Sequence, residues 1–384
     1  MNTYDLHNLM GRAQRNGRQC RRNFLLSATA AGLALAGLSC AGVTRTALRE
    51  SAGDEGKTGL SPDEYEILRL ASLAPSGHNT QPWTVRVAGK GNWIIGAEKS
   101  RMLPAVDPEN RELLLSLGAF MENLVEAAGA RGLSAEYSVV ARGSHDAEIL
   151  DVRLSGGART RDTDAAIVSR RTVRKGMLRD ELRGADVAHL SGGEPGFMFF
   201  TPSSAQGAWL AQATVEANRA QAWRDDAQTE LADWIRWRDA DAKKHRNGLT
   251  PEGMEIGGLA GWFVRNFYDR GDVLGKDFRD RTVDMTADQV KNCGGWMLLV
   301  SSGASIAELI ETGRRFQRML LRARERMVAV HPMTQILEES PWRGQAVRAV
   351  GAEGTVQFIL RTGYLAKYPD PVSLRRPVEW FLKA

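Results

Sequence analysis

The segment Ala74–Trp83, "APSGHNTQPW", gathers two prolines, a glycine, a serine, a histidine, two amides and a tryptophan. Pro75 and Gly77 turn the backbone, Asn79 and Gln81 offer amides, and Ser76 offers a hydroxyl. Such a loop can approach a flat polar ligand closely and hydrogen-bond it on several edges. A second segment, "SRRTVRKGML" (Ser169–Leu178), sets Arg170, Arg171 and Arg174 around the Thr172 hydroxyl, near an expected helix start. Guanidiniums and a hydroxyl beside exposed helix N–H groups suit a phosphate. "SLRRP" (Ser373–Pro377) repeats the theme with Arg375 and Arg376. Taken alone, the Arg170–Arg174 cluster reads more simply as an exposed basic helix face, and Arg375 and Arg376 equally as a solvated tail.

Several other chemistries lack their residues. There is no G-x-G-x-x-G and no G-x-S-x-G, so neither a Rossmann dinucleotide site nor a nucleophile elbow has its fingerprint. The six histidines (7, 78, 145, 189, 245, 331) never fall at metal-ligand spacing and no cysteine pair supports zinc, so no metal site is expected. His78 and His331 read as structural, and no catalytic residue can be assigned.

The elements that must position these groups are legible. Ser61-Pro62-Asp63-Glu64 is a capping box with proline at the first helical position. That helix must stop near Ala74, because Pro75 disfavours helix in its predecessor; the polar loop therefore begins at a helix end. "TVRV" and "NWIIGAE" flank Gly89-Lys90-Gly91 as a hairpin. Leu113, Leu117, Met121, Leu124 and Ala128 predict a long core helix over 109–131. "AEYSVVAR" and "AEILDVRLS" follow as strands, and Gly156-Gly157 marks a boundary between lobes 61–158 and 159–384. The second lobe alternates strands ("GFMFF", "WMLLVSS", "TVQFILRTGY") with helices over 205–244 and 305–326. A Gly-rich stretch at 245–262 reads as a lid-like insertion, and Cys293, before "GGWMLLV", as a core thiol. The alternation makes the chain mixed α and β.

The amino-terminal forty residues differ in kind. Arg21-Arg22 precede the short apolar run "FLLSATAAGLALAGL" and then small residues. That pattern describes an export signal over 1–41 of the twin-arginine type, which carries folded proteins out of the cytoplasm, followed by a linker over 42–60. Cleavage near Ala41 or Ala47 is the expected outcome, with lipidation at Cys40 in "GLSC" as the alternative. The first forty residues hold five arginines and Asp5, a charge of +4 out of the chain's +5. The remaining +1 gives no argument for nucleic acid.

A phosphate at one end and a planar heteroaromatic at the other together describe flavin mononucleotide (FMN). "APSGHNTQPW" resembles the signature loop of the FMN-dependent nitroreductase superfamily, and "RRTVR" resembles its phosphate motif. Their order is inverted relative to ordinary members, in which the arginines come first. A single chain fusing two degenerate subunits accounts for the inversion, and the sequence is similar to the Acg-like single-chain family. "RMLPAVDPENRELLLSLGAFMENLVEAA", "HPMTQILEE" and "LRTGY…SLRRPVE" extend that likeness over about residues 61–380. The resemblance implies an α+β fold of two pseudo-symmetric lobes, each a mixed sheet packed by helices, and an internal pseudo-dimer that is monomeric. It implies that Pro75, Ser76, Gly77, Asn79 and Gln81 line the flavin. Arg170, Arg171 and Thr172 would hold the phosphate with Arg375 or Arg376, and Arg174 would lie near the N1–C2 edge. The implied partners are a small-molecule electron donor and acceptor and the twin-arginine export machinery, in a periplasmic or other extracytoplasmic location. The same resemblance leaves open a non-catalytic protein that sequesters FMN.

Overall fold

The computed structural model describes residues 58–383. The export segment, Cys20, Cys40 and linker residues 42–57 lie outside the described residues. In the first lobe α1 (Pro62–Ala71), β1 (Trp83–Gly89), β2 (Asn92–Ala97), α2 (Arg111–Ala130), β3 (Leu133–Val139) and β4 (Glu148–Gly156) follow one another. The second begins with α3 (Asp164–Ser169), α4 (Gly184–Ser191), β5 (Phe197–Phe200) and α5 (Ala205–Trp223). A helical insertion follows: α6 (Asp225–Trp234), α7 (Asp239–His245), α8 (Gly258–Phe267), α9 (Arg270–Leu274) and α10 (Lys276–Lys291). The chain then runs through β6 (Gly295–Ser301), α11 (Ile306–Ala323), β7 (Val328–Pro332), α12 (Gln335–Glu338), α13 (Trp342–Val350) and β8 (Thr355–Tyr364) to β9 (Leu382–Lys383).

The strands form a five-stranded sheet, β3-β4-β2-β1-β9, and a four-stranded antiparallel sheet, β5-β6-β8-β7. The expected hairpin is present, with Val85 opposite Ile95 and Val87 opposite Trp93. At the start of α1, Ser61 Oγ accepts from the Glu64 amide while Glu64 accepts from the Ser61 amide. A cap of this kind contributes about 1 kcal/mol.

The two lobes meet along α2 and α11, and this contact carries an internal two-fold. A Cβ at Gly118 would stand 2.1 Å from Ile310 O, and a Cβ at Gly313 would stand 2.0 Å from Leu115 O. The same contact thus occurs twice with the helices exchanged, because each carbonyl lies three residues before the opposite glycine. Only glycine allows the backbones so close. Ile306 starts α11 195 residues after Arg111 starts α2, and Val328 starts β7 the same 195 after Leu133 starts β3 (306 − 111 and 328 − 133). The buried polar pairs obey that offset too. Gln317 Nε2 donates to Asn123 Oδ1 at 2.7 Å, and Arg318 Nη1 donates to Glu122 Oε2 at 2.8 Å. Positions 122 and 317, and 123 and 318, are mates, so these are one contact seen from both sides. A self-complementary interface of this form belongs to two-fold dimers; here it lies inside one chain.

One core joins both sheets, from Trp83 and Trp93 through Phe120 to Leu299 and Phe358. The insertion holds a smaller core of its own around Ile235, Trp237, Val264 and Val273. Cys293 is buried, donates to Gly295 O at 3.0 Å, and has its thiol pushed up by burial, as a packing residue should.

Three features differ from the expectations. Residues 170–178 are not a helix start: α3 ends at Ser169, and the arginine segment runs extended, since Met177 bridges Leu365 and the Leu178 amide donates to Tyr364 O at 2.9 Å. Its amides go instead to scattered partners, Arg174's to Glu255 and Leu178's to Tyr364 O. The 205–244 helix is broken twice, first at Arg224, whose guanidinium is held by Glu339 at 2.7 Å and by Ala105 O at 2.8 Å. Finally, the chain end leaves the second lobe: β9 pairs parallel with β1, Val85 opposite Leu382, and Phe381 packs edge-on to Phe120 at 6.4 Å. This crossing brings Arg375 and Arg376 to the first lobe.

Candidate functional site

The loop after α1 is wound tightly. His78, Asn79 and Gln81 hold φ of 46°, 55° and 53°, each in the left-handed region that costs an L-residue roughly 1–2 kcal/mol. The surrounding hydrogen bonds hold the strain in place. Asn79 Nδ2 donates to Gly248 O at 3.0 Å and Leu374 O at 3.2 Å, and Asn79 Oδ1 accepts from Arg375 Nη1 at 2.7 Å. Gln81 Nε2 donates to Arg246 O at 2.9 Å, and Gln81 Oε1 accepts from the Arg376 amide at 2.9 Å. Ser76 Oγ accepts from the Gln81 amide at 3.0 Å.

These bonds revise four expected ligand contacts. Asn79, Gln81, Arg375 and Arg376 are buried, and the polar groups just named are directed at the protein. Arg375 Nη2 binds Leu73 O at 3.0 Å, and Arg376 Nη1 binds Gln81 O at 3.0 Å. All four fasten the loop to the returning chain end. They leave Pro75, Ser76 and Gly77 partly exposed, while the His78 ring is buried at Nε2.

The arginine segment meets this loop from the other lobe. Arg170 is 5% exposed, and its Nη2 donates to Leu73 O at 3.1 Å, the same carbonyl that Arg375 holds. Its Nε and Nη1 are buried with no hydrogen-bond partner among the described residues. Burial pulls the guanidinium down to about 10, with the nearby Tyr368 acting weakly the other way. A half-satisfied buried cation is costly, and it calls for an anion. Thr172, two residues on, is partly exposed.

Arg171 and Arg174 are engaged by the insertion. Glu255 accepts from Arg171 Nη2 at 3.2 Å and from the Arg174 amide at 3.0 Å, and Gly253 O accepts from Arg174 Nη1 at 2.9 Å. The expected lid region is therefore a strap across the arginine segment. Its key residue sits at φ 59°, a conformation retained through these contacts. Arg174 also faces two histidines. Burial, then the charge of Arg174, lowers His78 to about 4. Burial, then Arg361 and Arg174, lowers His331 well below the ordinary range. Both rings are thereby held in the neutral form near pH 7.

Sequence reading misses three participants here. Glu255, Arg361 and Glu112 reach the site from distant segments. Arg361 Nη2 donates to Arg174 O at 2.6 Å and lies 3.3 Å from His331 Nδ1. Glu112 is held up to about 8 by burial and by the charge of Glu338, and its Oε2 would stand 3.7 Å from a Cβ at Gly77. No local pattern marks these residues, because their partners are far away in sequence. Among the described residues no His, Cys, Asp or Glu group could hold a metal ion.

No family model matches the chain. It is 28% identical over 342 residues to a Mycobacterium tuberculosis H37Rv protein named "Putative NAD(P)H nitroreductase Rv3131", covering 82% of this chain and 90% of that protein. It is 25% identical over 336 residues to "Putative NAD(P)H nitroreductase acg" of the same organism, covering 81% of this chain and 92% of that one. The solved FMN-dependent nitroreductase NfnB from Mycobacterium smegmatis, in complex with NADPH, aligns at 15% identity and a TM-score of 0.31, over 54% of this chain and 93% of that one. Along four-fifths of its length the chain is thus similar to nitroreductase-named proteins, Acg among them, as its motifs imply.

Proposed function

We propose that the chain is an exported FMN-binding oxidoreductase of the nitroreductase type, passing electrons from a small donor to an acceptor such as a quinone or nitroaromatic. The observation that carries the reading is Arg170: a buried guanidinium with two nitrogens that have no partner among the described residues, where the arginine segment of one lobe touches Leu73, just before the Pro75–Gln81 loop of the other. A phosphate monoester matches that donor set. Bound FMN would supply the electron-transfer chemistry. The chain's own groups bind and orient: Arg170 and Thr172 hold the phosphate, Pro75–Gly77 flank the ring system, and Arg174 sets a fixed cation where negative charge collects. Asn79, Gln81, Arg375 and Arg376 preserve the loop's shape. Export by the twin-arginine route, an extracytoplasmic site of action and a monomeric state complete the proposal; anchoring through Cys40 is its variant.

The strap favours a second reading, a protein that sequesters FMN without turnover, because Glu255 and Gly253 close over Arg171 and Arg174. Purification of the mature chain, an absorption spectrum and chromatography of the acid-released chromophore test flavin binding. Absence of FMN rejects both readings. Anaerobic reduction with NADPH or dithionite, followed by mixing with a quinone, separates them: rapid reoxidation supports the oxidoreductase, and no reoxidation by any acceptor supports storage.

A further inference from the structure

Between the lobes, at the amino-terminal ends of α2 and α11, lies a cavity of about 720 Å³. At the starts of α2 and α11, three pairs of its lining residues are two-fold mates at the 195-residue offset: Glu109 with Ala304, Arg111 with Ile306, and Leu114 with Leu309. The first pair lies just before the matching helix caps, Asn110 and Ser305. In a homodimer the two halves of such a pocket are identical by symmetry. Here the first lobe presents charge where the second presents hydrocarbon, in two pairs of three. Fusion into one chain is what permits that difference.

The polarity extends beyond the mates. Arg142 widens the charged side and is exposed, with the Asp146 carboxylate close enough to feel its charge. Val347 and Val356 widen the apolar side. Glu109 is answered by Arg343 at 2.9 Å. Arg111 gives one nitrogen to Gln357 O at 2.6 Å and another to Glu112 Oε1 at 2.8 Å. The volume falls in the range of small-molecule sites, in which apolar walls hold the ligand and a few polar groups orient it.

We infer that this cavity binds an amphipathic anion, a carboxylate or phosphate monoester on an apolar body, with its acid toward Arg142 and Arg111 and its body toward Ile306 and Val347. None of Pro75–Gln81 or Arg170–Arg174 lines the cavity, so the inference stands whether or not the chain binds flavin.

The test is calorimetric titration of the purified mature chain with dodecanoate, dodecyl phosphate, dodecanol and dodecyltrimethylammonium, each below its micelle threshold. One anion should bind at one per chain and roughly tenfold or more tighter than dodecanol, the equivalent of one charge-assisted contact. Whichever anion binds tighter identifies the head group. Arg142→Glu should weaken the anion by roughly tenfold and leave dodecanol unchanged, while Val347→Trp should weaken both by filling the apolar end. Circular dichroism melting confirms that each variant is folded. Equal affinity for dodecanol and the anions, an Arg142→Glu variant that binds normally, or no saturable binding up to about 1 mM overturns the inference.

Discussion

Arg170→Met should stabilise the flavin-free protein and abolish flavin binding together. Burial holds the guanidinium down to about 10, from an ordinary value above 12. At about 1.4 kcal/mol for each tenfold change in proton affinity, that is about 3 kcal/mol of penalty on the folded, flavin-free chain. The sign follows from linkage. A base whose folded-state value is depressed weakens the fold at every pH below that value, and the penalty fades only as pH rises through about 10. Methionine keeps most of the stem's volume without the charge. The hydrogen bond lost at Leu73 O costs little, since Arg375 Nη2 still holds that carbonyl at 3.0 Å. After that deduction the variant should gain about 1–2 kcal/mol, consistent with the usual outcome of replacing buried charge by hydrocarbon. Binding moves the other way: losing a charge-assisted contact to a phosphate should weaken FMN by about 100-fold. Urea unfolding of flavin-free protein, followed by circular dichroism, gives the first quantity. Quenching of flavin fluorescence gives the second. A variant that is less stable than the parent and still binds FMN within a factor of about three would refute the reasoning.

Gly313→Ala and Gly118→Ala should each cost about 1–3 kcal/mol, because a methyl at either point drives α2 and α11 apart. Since the two positions are mates, their urea midpoints should fall by similar amounts; a neutral result at both contradicts the close crossing. Glu112 keeps its proton up to about 8, so over the range from about pH 5 to 8 the folded chain binds more protons than the unfolded one. Stability should therefore fall as pH rises through that window, and Glu112→Gln should flatten the slope of melting temperature against pH. Glu255→Gln removes the carboxylate that ties the strap to Arg171 and Arg174. Limited proteolysis within 246–257 should accelerate roughly tenfold while the global melting temperature holds; unchanged cleavage would show that the strap does not depend on that carboxylate.

Sequence alone determined what local physics fixes. The capping box at Ser61, the hairpin around Gly89–Gly91, the long helix over 111–130 and the buried strands each follow from caps, turn residues or the period of their apolar positions. The loop at Ala74–Trp83 is legible as a candidate site because its composition fits no ordinary core element. Tertiary structure decided which of its groups face outward. Asn79 and Gln81 look like ligand donors in a string of letters, yet Gly248, Leu374 and the Arg376 amide claim them, because a buried amide must satisfy its hydrogen bonds wherever partners stand closest. Distance in sequence hid the rest. The end of the chain returns to pair with β1, Glu255 reaches Arg171 and Arg174 from the insertion, and Gly118 meets Gly313 only once both lobes have folded. A two-residue strand has no period and a lone glutamate no motif, so what they contact is settled by packing alone.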